Sequence, residues 1–235
     1  MRIAAVGDLH CRAETRAAVA KALEGVASEA EVLLLAGDLT DLGLNDEADM
    51  LVEILGKLGL TMVAVLGNHD FDSGNEAGVR ARLCAAGVHV LDGETFSDGE
   101  FGVAGIKGFC GGFEHAQLQR FGEGYLKTFV DSCISEELKL ENALIKLRTR
   151  IRIALLHYSP TRTTIEGEPL EIFPFLGATR LASPIDQLRP MVAFHGHAHR
   201  GTLRGATRGG VPVYNVALPV LRRQDPPLGY LTLDL

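Results

Sequence analysis

Met62-Val63-Ala64-Val65-Leu66-Gly67-Asn68-His69-Asp70 is an apolar, partly β-branched run that stops at a glycine and gives way to an amide, an imidazole and a carboxylate. A short run of this kind reads as a buried strand. The polar residues after Gly67 then lie just past its carboxyl end, where open α/β sheets place their ligand sites. Four other apolar runs in the chain end alike. Residues 3–6 precede Gly7-Asp8-Leu9-His10, and residues 32–36 precede Gly37-Asp38-Leu39-Thr40-Asp41. Residues 151–156 run into His157, and residues 191–194 into His195-Gly196-His197-Ala198-His199.

The stretches between these runs have a helical period. Residues 13–27 carry Ala17, Val19, Ala20, Leu23 and Val26 at helical spacing. Residues 45–58 read as a helix capped by Asn45, with Asp46, Glu47 and Asp49 in the first turn where the dipole favours acids. Strand–helix alternation at this spacing predicts a parallel sheet with right-handed crossovers. Farther on, the pattern predicts a helix over 76–86, strands over 88–91 and 101–106, and a helix over 125–148. A long loop over 161–179 carries Gly167, Pro169, Pro174 and Gly177. Ser183, Pro184 and Asp186 read as a helix start with serine as the cap. Strands over 211–218 and 230–233 close the chain.

The 235 residues, 46% hydrophobic and 23% charged, suffice for one sizeable core, so one domain over 1–235 is expected. A net charge of −7 lacks the basic footprint of a protein that clamps long nucleic acid. Four cysteines without a C-x-x-C pair predict reduced thiols. The first apolar run is too short for a signal-peptide core, and no run approaches the roughly 20 residues that span a bilayer. A soluble, cytoplasmic protein is the expectation.

The strand ends gather Asp8, His10, Asp38, Asn68, His69, His157, His197 and His199, and of the chain's eight histidines only His89 and His115 lie away from them. Singly, each block reads as a turn. Five together, with oxygen and nitrogen donors and no thiolate, suit a pair of divalent first-row cations better than a closed structural zinc site. A bridging carboxylate can hold two cations about 3.5–4 Å apart, and such pairs activate water and grip a displaced phosphoryl group.

Asp8-x-His10, Gly37-Asp38, Gly67-Asn68-His69-Asp70, His157 and Gly196-His197-x-His199 occur in that order over residues 8–199. This series resembles the calcineurin-like metallophosphoesterase superfamily, and within it the bacterial group similar to cyclic-nucleotide phosphodiesterases. The resemblance implies an α/β fold, a four-layer αββα sandwich with a dinuclear metal site at the carboxyl ends of the strands. By motif position, Asp8, His10 and His199 would hold one ion, Asn68, His157 and His197 the other, and Asp38 would bridge them. The ions would be two divalent metals, Mn²⁺ foremost, with Fe²⁺ or Zn²⁺ as alternatives. His69 would donate to the phosphoryl group or protonate the leaving alcohol, with Asp41 orienting it and Asp70 competing for that role.

The implied reaction is attack of metal-bound hydroxide on a small or nucleotide-like phosphodiester. The alternatives are a phosphomonoesterase on a sugar or nucleotide phosphate and a catalytically silent scaffold. The serine/threonine protein phosphatases continue their second block as Asp-Arg-Gly and carry Glu in the third. Here Asp41 is followed by Leu42 and Gly43, and Asp70 stands at the Glu position, which disfavours protein substrates. Gly108-Phe109-Cys110-Gly111-Gly112-Phe113 is glycine-rich but lacks the Gly-Lys-Ser/Thr ending of a phosphate loop. Cys11, Arg12, Arg162, Arg200, His115 and Tyr158 lie near the blocks or loops without an assigned role, and His195 reads as a core neighbour of the site. Specificity is expected in loops 108–124 and 160–180.

Overall fold

The computed structural model describes residues 1–235. In chain order, β1 (Arg2–Val6), α1 (Arg16–Ala22) and the one-turn α2 (Val26–Glu29) lead to β2 (Val32–Ala36). Next come α3 (Asn45–Leu55), β3 (Thr61–Val65), α4 (Glu76–Ala85) and β4 (Val88–Val90). β5 (Glu94–Asp98) pairs with β6 (Phe101–Gly105), and α5 (Gly124–Lys146) leads to β7 (Ile151–Leu155). α6 (Phe173–Leu176), α7 (Ala182–Leu188), β8 (Val192–His195), β9 (Arg204–Ala206), β10 (Pro212–Asn215), α8 (Leu218–Arg222) and β11 (Leu231–Asp234) complete the chain.

The strands form two sheets, one ordered β11-β1-β2-β3-β4 and the other β5-β6-β7-β8-β10-β9. β2 is buried at every residue, and its pairing with β3 runs in register from Val32↔Thr61 to Ala36↔Val65. Parallel strands covered on both faces demand such continuous apolar runs. The second sheet shows the period of two instead. Val103, Ile153, Leu155 and Phe194 join the same core as β1–β4, whereas Ala104, Ala154, Leu156, Ala193 and Val213 belong to a second core with Leu140 of α5 and Ile185 of α7. The outer face of the first sheet is covered from α3 and α4, by Leu51, Leu55, Val79 and Leu83. The result is an α/β sandwich of two mixed sheets flanked by helices.

Several sequence expectations are corrected. The sheets are mixed, not purely parallel: β11, β5 and β9 are antiparallel edges. β5 and β9 are short and polar or glycine-containing, so neither carries a strand signal. The ligand-bearing ends come from both sheets, those of β1, β2 and β3 from one and those of β7 and β8 from the other. The expected helix over 13–27 is broken: α1 ends at Ala22, and Gly25, at a φ of +82°, turns the chain into α2. Asn45 does not cap α3. Glu47 reaches back instead, accepting from the amides of Leu42 (2.8 Å), Asp41 (3.1 Å) and Leu44 (3.3 Å), while Asn45 Oδ1 accepts from Asn75 at 2.8 Å.

Ser183 lies inside α7 rather than capping it, because a 3-10 turn over Thr179–Leu181 feeds the helix directly. The strand expected over 211–218 stops at Asn215, and Pro219 then sits in the first turn of α8. The loop over 161–179 folds into short helical turns at Arg162–Thr164, Leu170–Ile172 and α6.

Candidate metal centre

The carboxyl ends of β1, β2 and β3 meet those of β7 and β8, and the candidate side chains converge there. Three groups have ligand atoms within 4.8 Å of one another: Asp8, His10 and His199; His10, Asp38 and His69; and Asp38, His157 and His197. Asp38 joins two of these groups, and its Oδ1 lies 3.4 Å from His157 Nε2. Asn68 places its Oδ1 3.0 Å from the same nitrogen.

The backbone is bent to make this possible. Asp8 (φ 55°), His10 (42°), Asp38 (48°) and His197 (69°) all adopt left-handed conformations, although only six non-glycine residues in the chain do so. Such strain costs on the order of 1–3 kcal/mol per residue and persists where surrounding structure enforces it. Gly37, at φ +83°, sits so close to His157 that a Cβ would meet the ring at 2.5 Å. Only glycine serves there.

Hydrogen bonds fix the rings. His157 Nδ1 donates to the Ala36 carbonyl (2.9 Å), which leaves Nε2 toward Asp38 and Asn68. His197 Nε2 donates to the Phe175 carbonyl (3.1 Å), leaving Nδ1 as its ligand atom. Histidine ligands are held in this manner, the far nitrogen bonded to a carbonyl that sets the tautomer. The amide of His197 also donates to both oxygens of Asp8 at 3.0 Å, and that of His69 to Asp38 Oδ1 at 2.8 Å.

Both nitrogens of His10 are buried without a hydrogen-bond partner. The nearest carboxylate oxygens stand off at 3.4 Å (Asp41) and 3.9 Å (Asp38). An orphaned buried imidazole is costly. A cation answers it, and the donor set of carboxylates, imidazoles and one amide fits divalent metals. Two such clusters side by side suit a dinuclear site.

The electrostatics agree. Burial lowers His10 and His157, and brings His197 down to about 4, so these rings are neutral and ready to ligate near neutral pH. Burial also lifts Asp38 far above the usual carboxylate range, reinforced by the charges of Asp8 and Asp70. For Asp8, burial pulls upward but is outweighed by the hydrogen bond from His199 (2.9 Å) and the neighbouring imidazoles, and the carboxyl falls to about 2. His199 is raised by that same bond.

His69 lies at the mouth, its ring 4.5 Å from that of His10, centroid to centroid. Its Nδ1 bonds the backbone carbonyl of Asp41 (2.6 Å), not the Asp41 carboxylate, which pairs with Arg12 at 2.7 Å. Asp70 does not touch His69 through its carboxylate. It accepts from Thr40 Oγ1 (2.6 Å), Thr40 N (2.8 Å), Gly67 N (2.8 Å) and Leu39 N (3.2 Å), tying the second and third blocks together. His195 is fully buried, 2.7 Å from Thr164 Oγ1. Cys11 is buried, with its thiol raised to about 11 by burial. Arg162 lies over Phe173, Arg200 donates its amide to Glu168, and His115 sits on the exposed turn Glu114–Ala116.

Two braces escaped the sequence reading. Asn215 Nδ2 donates to the carbonyls of Ala198 (2.8 Å) and Thr164 (3.2 Å), and the Arg223 guanidinium donates to those of His199 and Gly201. Asn215 carried a signal, because it too is a polar residue at the carboxyl end of an apolar strand. Arg223 carried none.

Fold and site together define a phosphoesterase-type enzyme with a dinuclear metal centre. The family model for calcineurin-like phosphoesterases matches residues 1–201, and the chain belongs to that family. No curated protein matches it. Among solved structures it is similar to TT1561 of Thermus thermophilus, with 15% identity, 94% of this chain and 90% of that one covered, and a TM-score of 0.58. It is also similar to GAP50, the anchor in the inner membrane complex of Plasmodium, with 11% identity, 94% and 72% covered, and a TM-score of 0.59. Purple acid phosphatase PPD1 of yellow lupin shares 16% identity over 85% of this chain and 38% of its own, with a TM-score of 0.55. No helix is long and apolar enough to cross a membrane.

Proposed function

We propose that residues 1–235 form one four-layer αββα domain that hydrolyses phosphomonoesters of small alcohols, with a sugar or nucleotide phosphate as the substrate class. The observation that carries the reading is Asp38, shared between a His10 cluster and a His157–His197 cluster as a bridging carboxylate would be. Asp8, His10 and His199 would hold one divalent ion and Asn68, His157 and His197 the other, with Mn²⁺ as the first choice for this nitrogen and oxygen donor set. Such ions, when bound, supply Lewis-acid activation of water and neutralise charge on the phosphoryl oxygens. His69, its Nδ1 committed to the Asp41 carbonyl, keeps Nε2 for the leaving alcohol, and Asp41 orients it through that carbonyl.

The fold likeness to a purple acid phosphatase supports the monoester reading over the diester one. The likeness of the motif blocks to bacterial cyclic-nucleotide phosphodiesterases supports the second reading, hydrolysis of a small phosphodiester. A silent scaffold, suggested by the likeness to an anchor protein, is disfavoured because every expected ligand and His69 are retained.

The test is hydrolysis of p-nitrophenyl phosphate and bis-p-nitrophenyl phosphate before chelation, after it, and after Mn²⁺ is restored. Metal-dependent turnover that favours the monoester is expected. Preference for the diester would replace this reading with the second. Metal uptake without turnover of either would leave the scaffold.

A further inference from the structure

Asp41 has a neighbour at each of its four polar atoms. Its amide donates to Glu47 (3.1 Å), and its carbonyl accepts from His69 Nδ1 (2.6 Å). One carboxylate oxygen accepts from the Arg12 guanidinium at 2.7 Å, and the other faces His10 Nδ1 at 3.4 Å. The backbone of Asp41 therefore meets the candidate acid, while its side chain lies between Arg12 and a candidate metal ligand. The other acid near His69, Asp72, stands 3.8 Å from Nδ1 and is exposed.

Backbone pairing carries Arg12 to this place. Past the ends of β1 and β2, the amides of Asp8 (2.9 Å), His10 (3.0 Å) and Cys11 (3.0 Å) donate to the carbonyls of Gly37, Asp38 and Leu39. With the Cys11↔Thr40 bridge, that register brings His10 beside Asp38 and Arg12 beside Asp41. Thr15 pins the turn that follows, its Oγ1 accepting from the Arg12 amide (3.0 Å) and donating to the His10 carbonyl (2.7 Å). The guanidinium also meets Glu14 at 3.3 Å, but that carboxylate is exposed whereas Asp41 is largely buried.

The arrangement bears on which nitrogen of His10 can ligate. Nε2 looks toward Asp38 (3.9 Å) and Nδ1 toward Asp41. A carboxylate facing Nδ1 keeps the proton on that atom and leaves Nε2 free for an ion, as carbonyls do for the far nitrogens of His157 and His197. The only hydrogen bond to the Asp41 carboxylate comes from Arg12. Without it the carboxylate is free to turn toward water.

We propose that Arg12 is a positioning residue for the metal centre: it holds the Asp41 carboxylate against His10 Nδ1, so the side chain of Asp41 serves a metal ligand and only its backbone serves His69. This deepens the metal-centre reading and rests on it.

Calorimetric titration of metal-free protein with Mn²⁺ tests the assignment without turnover. Two binding steps are expected in the wild type. Arg12→Met should weaken one step about tenfold and leave the other unchanged, and Asp41→Asn should weaken the same step by about 10–100-fold, the range seen when a ligand loses its supporting group. Arg12→Lys should restore most of the loss, because one N–H suffices for the bond that Arg12 makes. Glu14→Gln should leave both steps unchanged. At saturating Mn²⁺ the dependence of kcat on leaving group should stay that of the wild type in Arg12→Met and Asp41→Asn, since the Asp41 carbonyl still holds His69. Unaltered Mn²⁺ binding in Arg12→Met, or an equal loss in both steps with a lower urea midpoint, overturns the proposal. So does a steeper leaving-group dependence in Asp41→Asn with metal binding intact, which would return the carboxylate to His69. A wild type that takes up no Mn²⁺ would instead remove the centre itself, and the proposal with it.

Discussion

His69 and Asp70 are neighbours in sequence with opposite duties. His69 commits Nδ1 to a backbone carbonyl and stays partly open at the mouth, whereas Asp70 is fully buried and accepts four hydrogen bonds from the second and third blocks. Replacing His69 with Gln should leave metal content intact and lower kcat by about 10²–10⁴, most for poor leaving groups, as loss of a general acid does. Metal analysis beside a leaving-group series checks this, and a loss independent of leaving group would remove His69 from proton transfer. Asp70→Asn should act differently. An amide nitrogen would face backbone donors that need an acceptor, at a cost of about 1–3 kcal/mol each where unsatisfied. Urea unfolding should show that loss, and metal affinity should weaken because the loops bearing Asp38 and Asn68 loosen together. Unaltered stability in Asp70→Asn would mean that the loops are held by other contacts.

The start of α3 shows how an element is held by a residue inside it. Glu47, buried in the first turn, accepts from three amides of the segment leading out of the Asp38 block. Glu47→Ala should therefore destabilise the protein by about 1–3 kcal/mol and displace the Asp41 carbonyl that holds His69, so stability and kcat should fall together. A fall in stability alone, measured by urea titration beside steady-state kinetics, would uncouple that segment from His69. In sequence Glu47 was visible only as an acid near the helix dipole. The apolar strands were legible because burial on both faces leaves a continuous signal, as Val32–Ala36 shows. The edges β5 and β9 were not, since Glu94–Asp98 is held by pairing to β6 rather than by its own burial. The site residues were readable as donors at strand ends. Asn215 and Arg223 brace the His197–His199 loop through backbone carbonyls and bind no expected ligand; Asn215 was legible only as one more polar strand end, and Arg223 not at all.

Across the whole molecule, the candidate centre joins the two sheets: Asp8, Asp38 and Asn68 come from one, and His157, His197 and His199 from the other. Cations bound there would tie the sheets together, and any ligand that binds only the folded state stabilises it, by about 2.7 kcal/mol at a hundredfold excess over Kd. The pH dependence follows from Asp38. Without metal, burial and the charges of Asp8 and Asp70 raise its pKa, so the fold holds a proton that the unfolded chain releases near about pH 4. A raised folded-state value means that this contribution is full below about pH 4 and is lost as pH climbs through the folded value. A ligating Asp38 must surrender that proton, and His199, also raised, adds to the release. His157 and His197 are lowered by burial and are neutral near pH 7, so they add little. The rise in Tm on adding Mn²⁺ to chelator-treated protein should therefore be larger at about pH 8 than at about pH 6. In Asp38→Ala the gain should shrink at both values, because both clusters lose the carboxylate they share. An equal gain at the two pH values in the wild type would mean that Asp38 is already ionised without metal, and an undiminished gain in Asp38→Ala would remove it from the bridge.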